Sequence, residues 1–401
     1  MTGQHVLLIG GRGHELPKVR GLGLRYSMIQ VPERASEQQS AGAENYTVLD
    51  YRRLDDVVPV ARAWHAADPF DAVLSFTEYG LEPASRCAID LRVAGDNLAA
   101  VLLTRDKSRT RELLDRFGLS PVRHRLCTEP ADARDFMAEL GGRAIVLKPP
   151  TGGLSEGVRL VRSEAELAEH WFWTSRVAEG PILAEEYLSG PEYSVESVSQ
   201  DGKHEIVMVT EKLTTGAPGF VELGHQMPAR LDRTEREAID DLVVRFLDLI
   251  GQRTGPVHTE LRVTPSGPRL IEAQTRIGGD QIWEMTELVT GVDMISETLA
   301  GLLGLHAPAR TPAARAAAIR FIAFENTTVA DVKGLAEARE APGVLRLRCT
   351  LAPGRALGTI ASSDSRQGYI LCEGHDTQDA VARAEAARDL VRIERAPLHG
   401  A

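Results

Sequence analysis

At 401 residues, with 43% hydrophobic and 26% charged content, the chain has the composition of a globular protein of roughly two to four structural units. A formal net charge of -11 without any basic cluster argues against nucleic acid or an anionic membrane surface as partner. No apolar run approaches the roughly 18 residues of a membrane span, and the start, MTGQHVLLIGG, lacks the apolar length and basic region of a signal peptide, so a cytoplasmic protein is expected.

Residues 1–95 alternate short apolar strands, VLLIGG, YSMIQV, YTVLD and DAVLSF, with helical stretches such as RRLDDVVPVARAWHAA. That alternation predicts an open parallel α/β domain. Gly11-Arg12-Gly13 follows the first strand, with Glu33 about twenty positions on, in the manner of a dinucleotide fingerprint. Leu16 stands where the third glycine belongs, and a structural glycine turn explains the segment as well. The four cysteines (Cys87, Cys127, Cys349 and Cys372) form no CxxC pair, which predicts reduced, structural thiols.

A helical connection over 96–125 carries KSRTRELLDRFG, stopped by Gly118 and Pro121. Residues 126–200 read as a further α/β unit: strand RAIVLKPP, a Gly-rich loop, helix SEAELAEHWFWTSRVA, strand PILAEEYL, then EYSVESVS. Only six of the 46 basic residues are lysines. A chain that otherwise uses arginine keeps lysine where a compact ammonium is needed, which singles out Lys107 and Lys148. Lys148 ends an apolar strand and precedes PPTGGLSEGV, where Gly152, Gly153, Ser155 and Gly157 let the backbone fold closely over phosphates. An ordinary strand-to-loop turn has the same composition.

Residues 201–310 begin with a turn at Asp201-Gly202 and the strand HEIVMVTEK, continue through FVELGHQMPA and the helix TEREAIDDLVVRFLDLIG, and end in GPVHTELRVTPSGPRLIEAQTRIGGD. VHTELRV and RLIEAQTR alternate like half-buried strands around the turn Pro265-Ser266-Gly267, a hairpin in which Thr264 would face Pro268. That register sets Glu260 opposite Glu272 and His258 opposite Gln274, with Glu272, Gln274 and Arg276 on one face and Ile271 and Ala273 on the other. Like charges facing each other at roughly 5 Å destabilise a sheet unless something sits between them. Magnesium, held by one or two carboxylates plus substrate phosphates, suits that place. A solvated strand face would also carry Glu and Arg, but it has no need of two paired carboxylates, an amide and an Arg followed at once by Gly278-Gly279. After about residue 310 an Ala/Pro/Arg-rich linker, HAPARTPAARAA, leads to a small α+β unit over 311–401.

The order Lys107, Lys148 with its Gly loop, ILAEEYLSGPEYSVE and the Glu260/Glu272 hairpin resembles the ATP-grasp superfamily, and RIGGD most resembles its L-amino-acid ligase branch. The resemblance implies a mixed α/β and α+β fold: an N-terminal parallel domain, a lid unit, a central unit with the hairpin, and a small C-terminal subdomain. It also implies ATP as substrate, magnesium as metal with manganese as a substitute, and small carboxylate and amine substrates such as amino acids. Similar enzymes are often homodimers. By resemblance, Lys107, Lys148 and the loop with Gly152, Gly153, Ser155 and Gly157 take the nucleotide phosphates. Glu185, Glu186 and Leu188 form the strand that meets adenine, and Glu192 takes the ribose hydroxyls. Glu260, Glu272 and Gln274 hold the metal, with Gln274 where the family often has Asn. Arg276 and the N–H groups of Gly278 and Gly279 steady the acyl phosphate and tetrahedral intermediate.

Glu222 and His225 match a Glu and His beside the substrate pocket of similar ligases, although a lone His is more often a surface residue. Asp280 and Gln281 follow the Gly-Gly turn. Asp280 stands where similar ligases carry a bulky pocket residue, and it reads equally as a substrate contact or as the cap of the helix QIWEMTELVTG. Lys212 reads as an exposed strand-end lysine as readily as a site residue. The activity implied is an ATP-dependent carboxylate–amine ligase. A biotin-carboxylase-like or purine-pathway enzyme is disfavoured because Ile277-Gly278-Gly279-Asp280-Gln281 replaces an acidic, His-containing segment. A non-catalytic nucleotide-binding protein would be expected to have lost a metal or phosphate residue.

Overall fold

The computed structural model describes residues 3–395. Strands β1 (His5–Ile9), β2 (Arg25–Gln30), β3 (Tyr46–Val48), β4 (Ala72–Leu74) and β5 (Ala94–Gly95) form a parallel sheet in the order β3-β2-β1-β4-β5. Helices cover both faces, which is why β1 is buried throughout and, after His5, wholly apolar. The two sides of this sheet feed separate apolar clusters. One of them continues into Ile277 and the helix Met294–Leu303, so the N-terminal unit is packed onto the centre of the molecule.

A second, antiparallel sheet holds β6 (His124–Cys127), β7 (Ile145–Lys148), β8 (Arg159–Val161) and β9 (Ile182–Glu186) in the order β6-β9-β7-β8. The helix Lys107–Arg116 leads into it, its start fixed by Asp106, whose side chain accepts from the N–H groups of Ser108 and Arg109. The remaining strands in chain order are β10 (Glu192–Gln200), β11 (Lys203–Thr214), β12 (Glu222–Met227), β13 (Gly255–Thr264), β14 (Gly267–Gln274), β15 (Ala316–Ile322), β16 (Thr327–Lys333), β17 (Val344–Cys349), β18 (Ala356–Leu357), β19 (Gly368–Gly374) and β20 (Arg392–Arg395). Eight of them build the central antiparallel sheet, β14-β13-β10-β11-β12-β15-β19-β17, and β18-β16-β20 form a small sheet. Asp201 and Gly202 both have positive φ, the geometry that a two-residue hairpin turn needs between β10 and β11.

Sheet membership departs from the boundaries expected at 200 and 310. β10 belongs with the central sheet, and β15, β17 and β19 of the C-terminal segment extend that same sheet, while the segment keeps an apolar cluster of its own. All four cysteines are free thiols. No helix among the described residues is long and apolar enough to cross a membrane.

Candidate active site

A cavity of about 420 Å³ lies where four elements meet: the carboxyl ends of β1 to β4, the loop after β7, the β13–β14 hairpin and the loop before β19. Glu260 pairs with Glu272 and His258 with Gln274, as the alternation predicts. The turn differs. Thr264 pairs with Gly267, so only Pro265 and Ser266 are unpaired, and a bulge between Glu260 and Leu261 absorbs the extra residue, Ile271. The bulge re-aims Ile271, expected on the far face, onto the cavity wall, while Ala273 joins the core.

Six of the eight lysine and arginine side chains that line this cavity have a counter-charge supplied from a distant part of the chain. The Lys107 ammonium lies 2.9 Å from Glu272 and donates to the Gly152 carbonyl at 2.9 Å. Burial opposes its charge, but Glu272 more than offsets that and raises its pKa. Lys148 lies 2.7 Å from Glu185, which also accepts from Arg111 at 2.6 Å. One buried carboxylate therefore serves two cations. Burial pulls the Lys148 pKa down and Glu185 offsets this only in part, whereas the two cations overcome the burial of Glu185 and hold its pKa near 2. The excess positive charge is suited to an incoming phosphate.

Of the two readings left open for Lys212, the structure gives the buried one. Its side chain is 2% exposed and faces Glu260 at 2.7 Å, Glu192 at 2.9 Å and Glu222 at 3.5 Å. Despite burial, these three carboxylates raise its pKa well above the usual lysine value. Glu192, expected at the ribose, is held by Lys212 and by Arg262, and the Arg262 guanidinium lies over the rings of Tyr187 and Phe220 and donates to the Leu188 carbonyl. Glu186 accepts from the Arg123 N–H, and its own N–H donates to the Arg123 carbonyl.

Glu260 also accepts from His258 at 3.2 Å, and the other His258 nitrogen meets Glu196, which is fully buried. Burial disfavours the imidazolium, yet the two carboxylates lift its pKa to about 9. Glu196 in turn accepts from the Gly278 N–H at 3.1 Å. That N–H, expected to face a reaction intermediate, is therefore committed to a buried carboxylate. Arg276 donates to Glu78 at 2.9 Å, and Gly279 lines the cavity.

The Gly-rich loop is pinned at both ends of the site. Gly152, Leu154, Ser155 and Gly157 have positive φ. The Ser155 hydroxyl donates to Glu222 at 3.3 Å, Ser363 donates to the other Glu222 oxygen at 2.7 Å, and the Ser363 N–H donates to the Leu154 carbonyl. Gly153 lines the cavity. Asp280 is not the helix cap: that position falls to Gln281, which makes no capping bond. The Asp280 carboxylate takes a bidentate pair from Arg366 at 2.8 and 2.7 Å and lies 3.4 Å from buried His225, and the Arg366 guanidinium lies 3.7 Å from the centre of the Phe321 ring. Sequence reading offered no signal for Glu78, Arg111, Glu196 or Arg366, whose partners described above lie between 62 and 198 residues away.

Two further readings are decided by geometry. The carboxylate of buried Glu15 accepts from the N–H groups of Arg12 and Gly13, so the glycine turn after β1 is filled from within and cannot cradle a dinucleotide pyrophosphate. The hairpin fits a divalent cation: Glu260 and Glu272 are opposed, and the Gln274 amide oxygen beside them is buried with no hydrogen-bond partner. Among the described residues no group of three or more His, Cys, Asp or Glu is placed to hold a metal ion.

Residues 142–284 match the model of the ATP-grasp domain, and residues 320–396 that of L-amino acid ligase C-terminal domain 2. The chain is 27% identical over 356 residues to the protein y4rH of Sinorhizobium fredii, covering 86% of this chain and 69% of that one. It is 26% identical over 279 residues to the alanine–anticapsin ligase of Bacillus subtilis, covering 63% of this chain and 57% of that enzyme's length. The crystal structure of an L-amino acid ligase from Bacillus licheniformis superposes with a TM-score of 0.83 at 23% identity, over 98% of this chain and 99% of that one. The two share a fold.

Proposed function

The chain is built on an ATP-grasp domain and an L-amino acid ligase C-terminal domain, and from that membership of the ATP-grasp superfamily we propose that it is an ADP-forming carboxylate–amine ligase making a dipeptide or related small amide. The observation that carries the reading is the convergence of Lys107, Lys148, the Glu260/Glu272 pair and the unpartnered Gln274 oxygen on one cavity. The C-terminal match at 320–396 favours this branch over a carboxylase or purine-pathway enzyme of the same fold. The complete set of phosphate and metal residues speaks against a non-catalytic binder.

In this reading ATP is a substrate whose phosphates are met by Lys107, Lys148 and the N–H groups of the 151–157 loop. The segment from Glu185 to Leu188 lies beside the base, with Glu185 acting through Lys148. Glu260, Glu272 and the Gln274 oxygen would hold magnesium, or manganese in its place, which neutralises phosphate charge. A substrate carboxylate oxygen attacks the terminal phosphorus, the bond to ADP breaks, and an acyl phosphate forms. The amine then attacks the acyl carbon, phosphate leaves with the bonding pair, and the amine proton is lost. Arg276, held by Glu78 and by the Ile277 carbonyl, would turn its remaining guanidinium N–H groups to oxygens of the acyl phosphate. Phosphoryl transfer asks mainly for such positioning and charge neutralisation. Glu222, His225, Asp280 and Gln281 bound the substrate end of the cavity.

The test is a screen of amino-acid and carboxylate pairs with magnesium and ATP, reading ADP, phosphate and amide together. Equal amounts of all three from one pair are expected, and ATP binding with no pair turned over contradicts the proposal. A cytoplasmic homodimer is the accompanying expectation from the family.

A further inference from the structure

Eight lysine and arginine side chains line the cavity, and six of them have a carboxylate at 2.9 Å or closer. The other two, Arg12 and Arg34, have no ion pair or side-chain hydrogen bond recorded among the described residues. They follow β1 and β2, so both rise from the carboxyl ends of adjacent parallel strands, where open α/β sheets receive their ligands. The backbone there is not the receptor, because Glu15 already occupies the N–H groups of Arg12 and Gly13. The side chains are what remains available.

Both side chains are exposed on the cavity wall, and after burial Arg34 is the largest influence lowering the Arg12 pKa. Like charges held together at a cavity wall are relieved by an anion between them. The carboxylates nearby are not free to supply it. Asp280 is taken by Arg366 and Glu78 by Arg276, and Asp364 is exposed on the wall with no ion pair to Arg12. His14, beside them, stacks on Trp283 and stays neutral, its pKa lowered to about 4 by burial and by Arg12.

We propose that Arg12 and Arg34 select a substrate bearing an extra anionic group, a side-chain carboxylate or phosphate ester, besides the group that takes part in the bond being made. This deepens the ligase reading and rests on it for the word substrate.

The test uses the full chain with magnesium and a non-hydrolysable ATP analogue, and titrates L-glutamate against L-glutamine and O-phospho-L-serine against L-serine by calorimetry. At least one anionic probe should bind ten-fold or more tightly than its neutral counterpart, and which one does so tells carboxylate from phosphate. Arg12→Gln and Arg34→Gln should each reduce that preference several-fold, and the double variant should abolish it at an unchanged melting temperature. Equal or weaker binding of both anionic probes, no binding of either, or variants that keep the preference would overturn the inference. A retained preference with no ADP release from any pair would sink the ligase reading and leave the anion site standing. Ligation of neutral amino acids without preference would do the reverse.

Discussion

Glu272 accepts from the Lys107 ammonium and from the Gln274 amide while facing Glu260 across the hairpin. Both carboxylates are held in the charged form, with Lys107 and Lys212 outweighing the cost of burial. Two opposed, half-buried like charges kept ionised in this way fit the proposed cation. Replacing Glu272 with Gln preserves shape and an acceptor for Lys107 but removes one charge. Turnover should fall at least about 100-fold, roughly 2.7 kcal/mol in the barrier, with cooperative unfolding retained. Steady-state phosphate release beside a thermal melt reads both, and wild-type turnover would show Glu272 to be a bystander. Lysine scarcity pointed to Lys107 and Lys148, and the same signal applied to Lys212 would have found it too. Its burial was not legible because its three partners come from β10, β12 and β13. Alternation along one strand reports which face a residue is on, and says nothing of what covers that face.

At the scale of elements, the hairpin was legible because alternation and a turn signal fix pairing locally. Its turn was misjudged by one residue and the bulge at Ile271 restored the pairing, a compensation that no local pattern announces. The RIGGD segment after β14 is positioned by a different element. Glu196 on β10 links the Gly278 N–H to His258 on β13, and His258 links onward to Glu260. A Cβ at Gly278 would lie 2.9 to 3.0 Å from the Glu196 oxygens and His258 Nδ1, whereas one at Gly279 meets nothing within 4 Å. Gly278→Ala should therefore cost about 1–3 kcal/mol of stability and lower turnover. Gly279→Ala should stay within about 0.5 kcal/mol of wild type. Chemical denaturation of the two variants makes the comparison, and equal losses would remove the special role of the Glu196 contact.

Over the whole molecule, the cavity belongs to no single unit: the parallel sheet supplies Glu78, the four-stranded sheet Lys148 and Glu185, the central sheet the β13–β14 hairpin, and the C-terminal segment Ser363 and Arg366. The parallel α/β character of the N-terminal domain could be read along the chain, as could the residues proposed for phosphate and metal, which the fold brings to one cavity. The merging of β15, β17 and β19 into the central sheet could not, since an Ala/Pro/Arg-rich linker looks the same whether it joins two sheets or continues one. What the assembled site is proposed to do is phosphorylate a carboxylate, and oxygen isotope transfer tests that most directly. With the substrate pair found by screening, a carboxylate labelled with oxygen-18 should pass one labelled oxygen into inorganic phosphate for every amide formed, with ADP as the nucleotide product. Unlabelled phosphate, or AMP and pyrophosphate in place of ADP, would contradict it.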